Sequence, residues 1–287
     1  TLTRGIPSHI HAQNILTMSQ PKEYPILFST PMIRAILAGR KTQTRRIIKP
    51  QPYQRDGWWQ YESTRSTGGS ISSNVSPDKW GSIFRPPYGR PGDRLWVRET
   101  WLPGAWDANS GMIKAIYKAD MKKSGWIIPY PDDDDCSKFN HLWKSICDEL
   151  DRKGIHPDAS GMYQFNSVQK QPLSWRPSIH MPRAACRLLL QITDIRVERL
   201  QDISAEDAIK EGCQYDSNTA EEYMYTDWYK NLWTSINGPQ SWEANPFVWV
   251  ISFNPLPLFA ETPPAVLPNT APEPAAPAAA PHGQRPV

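Results

Sequence analysis

One long stretch of this chain contains no acid: neither Asp nor Glu occurs between Tyr24 and Arg55. Cysteine is also sparse. The four present (Cys136, Cys147, Cys186, Cys213) form no C-x-x-C pair. That excludes a disulfide framework or paired-thiol chemistry and leads us to expect free thiols in a reducing, cytoplasmic setting. No apolar run approaches the roughly 18 residues that a membrane span needs, and no signal-peptide pattern opens the chain, so no membrane partner is expected. No Gly-rich phosphate loop follows a strand, which argues against a dinucleotide cofactor. Four consecutive acids, Asp132–Asp135, lack zinc or EF-hand spacing. They read as a solvated helix cap rather than a metal site, and no metal or cofactor is expected. Charge is nearly balanced at +3 over 287 residues, so contact with an anion must come from a local patch.

Such a patch lies in the acid-free stretch. Ser29 to Ile48, STPMIRAILAGRKTQTRRII, reads as a short helix, a glycine stop and a cationic strand. Ser29 or Thr30 can cap the helix, and Pro31 suits its first position, where no N–H is required. Ile33, Ile36 and Leu37 share one face, and Gly39 fits the left-handed position that ends a helix. Arg40, Lys41, Arg45, Arg46 and Lys49 then crowd ten residues. By pattern alone this is either a solvated basic strand or an anion or nucleotide site.

Two residues break local rules. Lys41 follows a helix stop among four other cations, whose repulsion should lower its pKa and make it a usable base. Glu211 falls in the last turn of its helix, where the dipole disfavours negative charge, yet lies on the Ala205/Ala208 stripe. It is either a surface glutamate in an ordinary ion pair or a core-facing carboxylate needing a cationic partner or a proton.

Along the rest of the chain, residues 1–22 read as a patternless extension, with Met18 as the expected natural start. Tyr24–Phe28 suits a first strand. Residues 51–90 are loop-like and rich in Gly, Ser, Pro and aromatics. RPGDRLWVRETW is a turn and then a strand with Leu95 and Val97 on one face and Trp96 and Arg98 on the other. Residues 103–180 form a second insertion, whose best element is a helix from about Ser137 to Lys153. RLLLQITDIRVERL is strand-like, with a bend expected near Thr193–Asp194. Ser204 and Asp207 make a capping-box pattern ahead of a short helix that Gly212 stops. A further helix spans roughly Ala220–Ile236, and FVWVISF is a buried-type strand. Residues 255–287 are almost entirely Pro and Ala and read as a disordered tail. The strands do not alternate regularly with helices, so an α+β fold built on a mixed β-barrel, spanning 23–254 with insertions, is expected over a doubly wound sheet. No feature fixes an oligomeric state.

Ile36–Arg46, ILAGRKTQTRR, resembles the G-x-K-x-x-T/E-x-R signature of the ASCH family, whose fold is similar to the PUA β-barrel. GDRLWVRETW, WRPSIHMPR, ITDIRVERLQDISAEDAIKEG and NPFVWVISF look like the fuller pattern of phage and prophage ASCH-domain proteins. This resemblance implies a pocket for a nucleotide or modified base. A subset, the small bacterial N4-acetylcytidine amidohydrolases, carries a catalytic Lys, Thr and Glu, which match Lys41, Thr44 and, through one short helix, Glu211. This chain departs from that subset in its length, its two insertions and the Ala184-Ala185 pair after MPR.

The expected chemistry is removal of an acyl group from the exocyclic amine of a cytosine-like base. Lys41 would deprotonate Thr44 or a water held by it, and Glu211 would carry a proton to the departing amine. Arg46 would hold a phosphate or the developing oxyanion. Arg40, Trp96, His180 and Arg183 are further substrate-binding candidates, whereas Arg45, on the opposite strand face from Arg46, reads as structural or as a backbone-phosphate contact. The rival expectation is a non-catalytic module for RNA or another single strand, with Trp58, Trp59, Trp96 or Trp175 as stacking platforms. A phage assembly role for a tail-tethered protein is a third.

Overall fold

A computed structural model describes residues 20–61, 69–72, 75, 77, 80, 86–107, 110–132, 137–159, 163, 172–214 and 221–256. The expected N-terminal extension up to residue 19, the Pro/Ala tail from 257, and Asp133–Asp135 of the acid run lie outside these residues.

The centre of the fold is a five-stranded sheet in the order β1 (Glu23–Leu27), β6 (Arg94–Arg98), β9 (Leu189–Arg199), β10 (Phe247–Leu256), β2 (Gln43–Ile47). β1 and β6 run parallel, and every other pairing is antiparallel. The protein is therefore α+β with a mixed sheet. Among the described residues β1 and β2 form no ladder with each other, so the sheet is not closed by backbone pairing. A side chain spans that gap: Arg46 Nη2 donates to the Leu27 carbonyl at 2.7 Å. The bend expected in β9 is a bulge, since Ser252 faces Asp194 while Phe253 faces Ile192 and Thr193 is the extra residue.

Alternation along the strands builds two cores on opposite faces. Leu95, Val97, Leu190, Trp249, Ile251 and Phe253 pack with α1 (Thr30–Leu37) through Ile33 and Ile36. Val248 and Val250 face the other way, against Ala208 of α3 (Ala205–Lys210) and Tyr225, Tyr229 and Trp233 of α4 (Glu222–Asn237).

The region read as a loop at 51–90 contains a three-stranded antiparallel meander, β3 (Tyr53–Arg55), β4 (Trp58–Tyr61) and β5 (Gly69–Ser72). Asp56 and Gly57, both at positive φ (52° and 79°), make its first turn. In the second insertion a hairpin, β7 (Trp101–Asp107) with β8 (Met112–Tyr117), packs against the expected helix, α2 (Ser137–Arg152). These elements have their own core around Trp101, Ile113, Phe139, Ile146 and Leu150. Among the described residues no helix is long and apolar enough to cross a membrane.

Candidate active site between two helix ends

Two glycine-terminated helices bring the site together. α1 starts at Ser29 with Pro31 in its first turn and ends at Gly39, whose φ of 71° suits a residue without Cβ. The amides of Arg40 and Lys41 fold back onto the Ala35 carbonyl at 2.9 and 3.2 Å, so Lys41 turns inward. α3 starts at Ser204, whose side chain accepts from the Asp207 amide, and ends through Glu211 into Gly212 at φ 109°. The Thr42 amide donates to the Lys210 carbonyl at 2.8 Å and fastens the start of β2 to the end of that helix.

Lys41 and Glu211 therefore meet, although 170 positions separate them. Lys41 Nζ lies 2.5 Å from Glu211 Oε2 and 3.0 Å from the Glu211 carbonyl oxygen. The lysine is fully buried and the glutamate nearly so, with residue exposures of 0% and 3%. Burial pushes the Lys41 amine below its ordinary 10.5, Glu211 pulls it up, and Arg46 and Arg45 push it down again. Desolvation is the leading cause, and the cationic neighbours invoked from sequence add to it.

Arg45 takes the other oxygen of Glu211. Its Nη1 is 3.2 Å from Glu211 Oε1, and its Nη2 is 2.5 Å from Glu198 Oε1 and 2.7 Å from Asp207 Oδ2. Gln43 Oε1 accepts from Nη1 at 2.8 Å. Arg196 pairs with Asp207 from outside. Burial pushes Asp207 upward, but Arg45 and Arg196 outweigh it and hold the carboxyl below its ordinary value. For Arg45 the three carboxylates overcome desolvation and fix its charge. Arg45 opposes Val250 on β10 and faces the helices, whereas Thr44 and Arg46 oppose Ile251 and Trp249 on the other face. The two arginines thus lie on opposite sides of the strand.

A cavity of about 280 Å³ opens along β2, lined by Thr44, Arg45, Arg46, Glu211, Tyr88 and Tyr229 among others. Trp233 and the exposed Lys49 also line it. Lys41 reaches this space through Glu211 rather than directly. Tyr229 is buried at the junction, with the Arg45 guanidinium 5.5 Å from its ring centre. Burial and the nearby Glu211 raise its phenol well above the ordinary 10.0. Two cavity-lining residues carry buried N–H groups with no hydrogen-bond partner: Arg46 Nε and Trp233 Nε1.

Of the residues picked out from sequence, Lys41, Thr44, Arg46 and Glu211 thus gather at one cavity. Arg40 stands beside it, its Nη1 3.3 Å from the Gly212 carbonyl. Trp96, His180 and Arg183 are not brought there. Trp96 lies 5.3 Å from the Arg98 guanidinium and 5.9 Å from that of Arg183, which pairs with Glu23 at 2.7 Å. His180 lines a separate cleft. Sequence reasoning passed over Tyr88, Tyr229, Trp233 and the carboxylates Glu198 and Asp207. Tyr229 and Trp233 gave a signal only as an i, i+4 apolar pair, which is the ordinary mark of a core face. Among the described residues, no group of three or more His, Cys, Asp or Glu is arranged to hold a metal ion. Comparisons with protein-family models, curated proteins and solved structures returned no match.

Proposed function

We propose that the cavity along β2 receives a nucleotide or modified base and that the protein hydrolyses an acyl group from the exocyclic amine of an N4-acylated cytidine. We further propose that the five strands form a PUA-like barrel left open between β1 and β2. The observation that carries the catalytic reading is the buried contact of Lys41 Nζ with Glu211 Oε2 behind a cavity wall that also carries Thr44.

Desolvation disfavours the ammonium form of Lys41 and Glu211 favours it, which suits this amine to taking up and releasing a proton. The Thr44 hydroxyl orients a water, the pair takes one of its protons, and the water oxygen adds to the acyl carbonyl. Arg46 Nε, which has no other partner, donates to the oxygen that becomes negative. The C–N bond then breaks, the pair returns the proton to the departing nitrogen, and the products are a carboxylic acid and the free amine. Help of this kind is worth ~10²–10⁴-fold. The cavity volume falls near the lower end of the ~300–1,000 Å³ usual for small-ligand pockets, which suits a single nucleoside.

The test is incubation with a panel of acylated nucleosides and nucleic acids, with released amine and acid followed by mass. Deacylation of N4-acetylcytidine by the parent protein and its loss in Lys41→Met are the expected results. Equal turnover by Lys41→Met refutes the assignment. Salt-sensitive binding without any product supports the non-catalytic module instead.

A further inference from the structure

The second cleft lies away from the Lys41–Glu211 pair, in the insertion that carries α2. Its volume is about 390 Å³, and its lining includes Trp101, Lys138, His141, Ser145, Arg176 and His180. No carboxylate belongs to the described lining. Trp101 and Arg176 are directly opposed in an isolated antiparallel bridge, with Arg176 N donating to the Trp101 carbonyl at 2.7 Å and Trp101 N to the Arg176 carbonyl at 3.3 Å. Directly opposed residues project to the same side, so indole and guanidinium stand next to each other.

Each of these two side chains holds a buried N–H donor with no partner among the described residues. Trp101, 0% exposed, leaves Nε1 unbonded, and Arg176 leaves Nε unbonded. The guanidinium is aimed by a single contact, Nη2 to Ser145 Oγ at 3.0 Å, and among the described residues it pairs with no carboxylate. Orphaned buried donors are rare because each costs desolvation energy, so two side by side need a reason. The opposite wall comes from one face of α2, where Lys138, His141 and Ser145 recur at helical spacing, and the Ser178–His180 turn closes the side. Lys138 and the exposed imidazoles of His141 and His180 add N–H donors, which an imidazole offers in either tautomer.

We propose that this cleft is a binding site for a phosphate group. Donors converge there from three chain segments, and a tetrahedral oxyanion accepts from several directions, whereas a carboxylate accepts mainly in its own plane. The cleft is open on one side, so the phosphate can belong to a mononucleotide or to the backbone of a single strand. This site depends on none of the Lys41–Glu211 chemistry.

The experiment is titration of the full chain, by calorimetry or equilibrium dialysis, with inorganic phosphate, cytidine monophosphate, unphosphorylated cytidine and a short single-stranded oligonucleotide. Each is repeated with His141→Ala/His180→Ala and Arg176→Met, with thermal unfolding as the folding control. The parent protein should bind inorganic phosphate and at least one phosphorylated probe. Both cleft variants should weaken that binding by roughly tenfold or more. The exposed histidine pair keeps the test open if Arg176→Met fails to fold. A tighter mononucleotide than oligonucleotide identifies a free nucleotide as the source, and the reverse order a strand. Absence of phosphate binding, or binding that survives the histidine substitutions, overturns the proposal.

Discussion

The contact between Lys41 and Glu211 allows a thermodynamic test that needs no substrate. Glu211→Gln removes the charge 2.5 Å from Lys41 Nζ and 3.2 Å from Arg45 Nη1. Taking one partner from a buried pair costs about 3–5 kcal/mol, because the survivor stays desolvated. The Lys41 survivor is partly relieved: its Nζ still donates to the Glu211 carbonyl at 3.0 Å, and its amine, already lowered by burial, can shed the proton. Lys41→Met leaves Glu211 with Arg45 alone. Each single variant should therefore fall near the lower bound, at about 3 kcal/mol.

The double variant removes both charges of the contact, and Arg45 keeps Glu198 and Asp207. Its cost should be no larger than that of either single variant, which gives a coupling energy of about 3 kcal/mol. Urea unfolding of the four proteins at neutral pH measures this directly. Losses that simply add would refute the reasoning, since they would mean that the two groups do not sense each other. The same proteins carry a pH signature. A lysine whose folded pKa lies below 10.5 binds more protons when unfolded, so its contribution to stability rises with pH through that window. Lys41→Met should flatten this rise. The comparison belongs below pH 10, because Tyr229, whose phenol is raised in the folded state, lowers stability with pH above its ordinary value.

Three further outcomes are expected. Gly212→Ala should lower stability by about 1–3 kcal/mol in urea unfolding, because a Cβ at φ 109° is strained and would lie 3.3 Å from Ala35 Cβ and 3.5 Å from Lys41 Cβ. Asp207, held below its ordinary carboxyl value by Arg45 and Arg196, contributes stability that is present above that value and lost as pH falls through its folded pKa. Asp207→Asn should thus be less stable at neutral pH yet show a shallower acid limb, read by fluorescence-monitored unfolding across a pH series. Thr44→Val keeps the shape of the cavity wall and removes the hydroxyl, so turnover of N4-acetylcytidine should drop by ~10²-fold or more while the unfolding midpoint hardly moves.

The elements that position the site could be read from the sequence because their signals are local. Pro31, Gly39, the Ser204 cap and Gly212 each act within one turn of helix and do the expected work in the structure, whereas the Asp207 carboxylate, expected to close a capping box, turns instead to Arg45 and Arg196. The alternation in β6 likewise puts Leu95 and Val97 in the core. What escaped was of two kinds. The β3–β4 hairpin did carry a local mark, the Asp56-Gly57 pair between aromatic residues, but the Gly, Ser and Pro around it made the whole region read as loop. Two partners of Arg45, Glu198 and Asp207, gave no sign of that role. Glu198 and Asp207 lie 153 and 162 positions away, and nothing in a window around either carboxylate announces a buried arginine. Trp96 and Arg183 were read as pocket residues from their chemistry, and the sheet puts Trp96 on the face opposite Leu95 and Val97, beside Arg98 and Arg183.

The missing acids between Tyr24 and Arg55 acquire a physical meaning once β2 is placed at the edge of the sheet. Of these five cations Lys41 and Arg45 are buried and require counter-charge, which comes from the C-terminal half of the chain. Glu211 pairs with Lys41, and Glu198, Asp207 and Glu211 together enclose Arg45. Arg40 is met by the Gly212 carbonyl. Arg46 is treated differently: among the described residues it meets the Leu27 carbonyl and the Phe28 ring, 5.1 Å from its guanidinium, and Nε has no partner. Burial lowers the pKa of Arg46, against the weaker pull of Tyr88 and Glu211, as expected for a cation short of counter-charge. Lys49 lines the same cavity and is exposed. The carboxylates thus serve Lys41 and Arg45, while Arg46 and Lys49 at the same cavity have no carboxylate partner among the described residues. On the reading proposed above, a ligand carrying a phosphate would supply the counter-charge that Arg46 lacks, whereas a neutral apolar one would not.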